Sequence, residues 1–165
     1  MARPVEFSLI LTAADADGIS LSQTPAVAGN LTITGALASG GVATMDRARR
    51  VLFTFAADDT ARTFTVYGTN HDGNRMVENV TGTATTAVTL LDYLTVTRVA
   101  VDAATAGAVT VGTNGVGATK WFKPNLHIAP FSVSLGVDVT GTVNFTVQHT
   151  FDDPDMPANM QFASA

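Results

Sequence analysis

Few residues of this chain could do chemistry, and they fall into small groups. Asp152, Asp153 and Asp155 cluster around Pro154. Carboxylates at that density suit Ca²⁺ or Mg²⁺, and equally suit the end of a strand whose edge must stay solvated. The terminator is the better reading. Asp15-Ala16-Asp17-Gly18 opens like a calcium loop, but the residue that would have to close the shell is Ala26. An Asp-rich turn bonding its own backbone explains it more simply. His71, His127 and His149 match no zinc spacing. His71 falls in a hairpin tip, His127 in a loop before Pro130, and His149 in the inward row of a strand. There is no Gly-x-Ser-x-Gly turn and no phosphate loop. There is no cysteine, hence no disulfide, thiol nucleophile or Cys-ligated zinc. The residues therefore nominate no catalytic group, no metal and no cofactor.

Two clusters remain as candidate contacts with another molecule. Arg47, Arg49 and Arg50 form the one basic group, which either meets acidic groups on a partner or is a solvated start of a strand. Trp121-Phe122, between Lys120 and Lys123, is the densest aromatic–cationic spot. It is either an interface anchor or a small satellite core under a loop.

These residues must be positioned by strands. The chain has 165 residues, 46% hydrophobic and only 14% charged, which is enough for one well-buried domain. Threonine is the outlier at 25 residues; a β-branched, half-polar side chain suits a pleated, half-wet face. A net charge of −5 offers no electrostatic drive toward nucleic acid. No apolar run reaches membrane-spanning length. The N-terminal MARPVEFSLIL is interrupted at period two by Glu6 and Ser8, which favours a first strand over a signal peptide. Asn30, Asn79 and Asn144 each begin Asn-X-Thr, matches that chance explains in so Thr-rich a chain, and no glycosylation is assigned.

Alternation predicts strands at 5–11, 31–34, 50–55, 63–67, 75–80, 92–101, 108–111, 131–139 and 142–151. The parity slip between Val96 and Val99 predicts a β-bulge. Asp72-Gly73 predicts the turn of a hairpin. Val42–Arg49 and Thr85–Leu91 are the only helix candidates. Gly112–Gly117 reads as a loop and as the best place for a sub-boundary within 1–165. About 8–10 short strands at this spacing predict a single all-β domain with little helix, an antiparallel β-sandwich of jelly-roll or immunoglobulin-like type.

One resemblance adds a function. The segment WFKPNLHIAPFSVSLGVDVTGTVNFTVQHTFDDP resembles small structural proteins of tailed-bacteriophage virions, and MARPVEFSLILTAADADGISLSQTPAVAGNLTITG and AATAGAVTVGTNG are similar to the same kind of protein. The resemblance implies a non-enzymatic virion component on the capsid surface, assembled in the host cytoplasm. Its leading form is a capsid decoration, or cement, protein: a homo-oligomer, dimer or trimer, that binds the major capsid protein and stabilises the shell. A tail or head–tail connector component is the alternative, and a carbohydrate-binding β-sandwich module a weaker one. The shared motifs are architectural and transfer no catalytic residue. The resemblance also implies further strands after Asp152-Asp153-Pro154, an expectation from which the sequence DMPANMQFASA departs.

Overall fold

Strand β4, Val42–Phe55, runs through the middle of the molecule and changes neighbours along its length. The computed structural model describes residues 8–122, 134–150 and 163–164. In chain order the other strands are β1 (Ser20–Gln23), β2 (Gly29–Leu31), β3 (Ala38–Ser39), β5 (Thr63–Thr69), β6 (Arg75–Thr81), β7 (Thr86–Val88), β8 (Tyr93–Val101), β9 (Val109–Ala118), β10 (Gln148–His149) and β11 (Ala163–Ser164). The first nine form one antiparallel sheet of order β1-β9-β4-β8-β5-β6, with β2 on β8 and both β3 and β7 on β4; β10 and β11 pair separately. No helix occurs among the described residues.

The sheet folds over its own core. On one side of β4 its first half pairs with β8, at Ala43↔Val96 and Thr44↔Thr95, and its second half with β7, at Leu52↔Val88 and Thr54↔Thr86. A long strand that changes partners in this way turns a corner between two layers. Phe64 of β5 lies 5.2 Å from Phe53 and 5.3 Å from Phe55, ring centre to ring centre. Yet β5 and β4 share no ladder, so these rings meet across the interior. The fold is the expected antiparallel β-sandwich. Around the phenylalanines pack Ile19, Leu31, Val66, Met76, Tyr93, Val99 and Val111, all buried. Each such side chain contributes about 1.5–3 kcal/mol by leaving water.

The predicted hairpin is present: Thr63↔Thr81 through Thr69↔Arg75 pair without a slip, and Gly73 turns with φ +82°. The predicted bulge is present too. Tyr67 pairs with Arg98 and Gly68 with Val96, leaving Thr97 as the extra residue. Thr97 and Arg98 then both face out, and the Arg98 guanidinium stacks 3.6 Å above the Tyr67 ring.

Several expectations are corrected. Val42–Arg49 and Thr85–Leu91 are not helices: the first opens β4, and the second contains β7. The register of β4 on β8 shifts between Thr44 and Arg49, so burial falls on Ala43, Met45, Ala48 and Arg49. A bulge thus imitates helical spacing. Gly112–Gly117 is not a loop but the interior of β9. A Cβ on Gly112 would lie 2.0 Å from the Asp15 carbonyl oxygen, and one on Gly117 2.9 Å from the Leu11 side chain. The glycines let residues 11–16 cross the strand closely. Residues 8–11 carry no strand where one was expected, and 1–7 lie outside the described residues. The expected strands 131–139 and 142–151 reduce to β10: residues 134–147 form no ladder and are exposed on both parities. Residues 131–133 and 151 lie outside the described residues, as do His127, Asp152, Asp153 and Asp155.

Candidate interaction surface

The arginine cluster comes apart in the structure, because β4 sends consecutive side chains to opposite faces. Arg49 is 1% exposed. Its Nε donates to Asp46 Oδ1 at 2.7 Å and its Nη2 to Asp46 Oδ2 at 2.8 Å, a two-pronged pair. The same guanidinium donates to the carbonyls of Thr12 and Asn114. Asp46 also accepts from the Thr12 amide and hydroxyl. The Arg49 hydrogen bond, aided by Thr12, holds the Asp46 carboxyl well below the usual carboxylate range against the opposing effect of burial. Arg47 donates to the Ser8 carbonyl at 3.0 Å. Arg47 and Arg49 therefore fasten the incoming N-terminal segment to the sheet.

Arg50 faces the other way, with Nε 3.9 Å from Asp92 Oδ1. That separation is too long for a hydrogen bond, and neither atom has a hydrogen-bond partner among the described residues. Burial pushes the Asp92 carboxyl up to about 6; Arg50 opposes the rise and Glu78 adds to it. Glu78 itself accepts from the amides of Leu90 and Leu91 and so ties β6 to the segment before β8. Burial likewise raises the Tyr93 phenol.

Trp121 is half-buried and Phe122 exposed where the chain leaves β9. Lys120 beside them forms an ion pair with Asp72, Nζ to Oδ1 3.2 Å, so this exit sits against the tip of the β5–β6 hairpin. The structure thus places the Lys120 end of this segment against the hairpin tip. Asp15-Ala16-Asp17-Gly18 is the expected turn, with the Asp17 amide donating to Asp15 Oδ1. Its glycine is crowded: a Cβ there would meet the Asp15 carboxylate at 2.6 Å. Among the described residues no three His, Asp or Glu side chains gather to hold a metal ion. His149 is exposed rather than in a buried row, since the strand expected to bury it is not part of the sandwich.

One apolar surface was not nominated from the sequence as a contact. Leu135, Val137, Val139, Val143, Phe145 and Val147 share one parity and all are exposed, Leu135 at 64% and Phe145 at 58%. Their alternation was visible, but it was read as burial inside the sandwich. No protein-family model, curated protein or solved structure matches the chain. Its surfaces therefore rest on their own geometry.

Proposed function

We propose that this protein is a non-enzymatic structural subunit of a bacteriophage virion, and within that class a capsid decoration protein that binds the major capsid protein and stabilises the shell. The observation that carries the reading is the C-terminal segment: residues 134–147 present six large apolar side chains that the sandwich leaves exposed. Monomers rarely expose so long an apolar row, and such rows mark contacts with other proteins. The sequence resemblance supplies the setting, and the sandwich is the architecture it implies. A ligand that binds the assembled shell and not free capsid subunits stabilises the shell by mass action.

Particles assembled with and without the protein provide the test. Loss of resistance to heat or chelator in its absence supports the reading, and unchanged particles overturn it. Copy number separates decoration from a connector: hundreds per particle against about a dozen for a ring at one vertex.

A further inference from the structure

We infer that residues 134–147 are a strand-donating arm whose acceptor is the open edge of β6 in a second copy of this chain. The acceptor is described first. Among the described residues β6 pairs with β5 alone and so ends the sheet. Natural edges are blunted by bulges, prolines or lysines. Arg75–Thr81 has no proline and no lysine, and it keeps seven pairs to β5 without a register shift. Its charges are Arg75 at the first position and Glu78, whose carboxylate is engaged by the Leu90 and Leu91 amides. Val77 is 46% exposed on its outer face.

The ladder pattern says which backbone groups are open. Gly82 N–H donates to the Arg62 carbonyl and Asn70 N–H to the Asn74 carbonyl. Bonded pairs alternate along an antiparallel ladder, so positions 76, 78 and 80 bond to β5. The N–H and C=O groups of Val77 and Asn79 then point away from the sheet.

The donor matches this edge in three ways. Its two runs, 134–139 and 143–147, are near β6 in length, and Gly141 bends the chain between them with φ +93°. Its apolar row is continuous in parity, so an added strand would set Leu135, Val137 and Val139 beside the inward Met76 and Val80 and extend the core. Its only carboxylate, Asp138, falls on the opposite parity, which would face water.

In its own chain the arm forms no ladder with β6, and placement allows a second copy. The arm leaves the body beside Asp72, at the start of β6. Residues 123–133 allow a reach of up to about 36–40 Å. Donor root and acceptor edge thus lie together, and one rotation axis between copies lets every arm reach a neighbour's edge. The six side chains expose on the order of 500 Å², the upper range for a monomer patch. Counted on both sides of a two-fold exchange this is about 1,000 Å², where stable interfaces begin. Ladder hydrogen bonds add to it.

Light scattering on the full chain tests the exchange, independently of any particle assay. Wild type is expected to dimerise, or to trimerise around a three-fold axis. Asn79→Pro removes an edge donor, and Val77→Lys guards the same edge without touching the backbone. The double change Leu135→Asp with Phe145→Asp spoils the arm. Each variant is expected to weaken association at least tenfold while keeping the far-ultraviolet signal of the folded sheet. Mixing an edge variant with the arm variant leaves one intact donor and one intact acceptor, so the mixture is expected to associate more than either variant alone and less than wild type. A monomeric wild type, an arm variant that associates as wild type does, or a mixture that associates no more than either variant alone would overturn the inference.

Discussion

Phe64-Thr65-Val66 in β5 and Phe145-Thr146-Val147 near the C-terminus have the same residues in the same order. In β5 the phenylalanine and valine are fully buried against β4 and β8. In the C-terminal segment both are exposed. Nothing local separates the two triplets. What differs is the neighbour: β5 has β8 on one side, β6 on the other and the Phe53 ring across the core. Alternation specifies that a segment can be a strand with one apolar face. It does not specify what covers that face, and a covering chain can be another molecule.

If the sandwich is self-sufficient and the arm is not, the largest stability effects belong to the sandwich. Phe64→Ala should cost about 3–5 kcal/mol in denaturant unfolding, since the cavity opens between the layers. A loss under 1 kcal/mol would mean that the rings do not hold the layers together. Arg49→Met comes next, at about 2–3 kcal/mol, because it takes the donors from the Thr12 and Asn114 carbonyls and releases the Thr12 segment. Faster proteolysis before residue 20 is its expected companion, and its absence would break the assignment of Arg49 as a fastener.

The pH dependence follows with a smaller effect. Asp92 binds its proton more tightly in the folded state, where its pKa is about 6, than in the unfolded chain, at 3.8. Its ionisation therefore costs stability at pH 7, and that cost is relieved as pH falls through 6 toward 4. A gain on the order of 1–2 kcal/mol is expected over that window. Asp92→Asn should flatten the gain; an unchanged profile would put its source elsewhere. Asp46 acts in the opposite sense: its contribution is present above about 4 and is lost below, as the carboxylate that Arg49 holds is protonated. The smallest effect is expected in the arm, where Phe145→Asp should shift the unfolding of dilute protein by no more than about 0.5 kcal/mol. A cost of several kcal/mol would place that ring inside a core of its own.

What was legible in the sequence follows the same division. The β5–β6 hairpin and the bulge at Thr97 were readable because both leave local signatures, Asp72-Gly73 and a parity slip. The start of β4 was not, since a bulge spaces Ala43, Met45 and Ala48 as a helix would. The glycines of β9 read as a loop because the need for them comes from residues 11–16, about a hundred positions away in the chain. Arg47, Arg49 and Arg50 looked like one patch. The strand splits them between faces, and Arg50 finds its acid in Asp92, which no local pattern links to it. The exposed row of the arm was visible as a row but not as exposed, because exposure depends on neighbours that local alternation does not name.

Amide hydrogen exchange of the full chain at low and high protein concentration tests the central claim most directly. The account predicts strong protection of 51–55 and 64–66 at every concentration, and protection of 134–147 and of the Val77 and Asn79 amides that rises together with concentration. Protection of 134–147 that is already complete in dilute protein and independent of concentration would contradict it, because the arm would then be folded within its own chain.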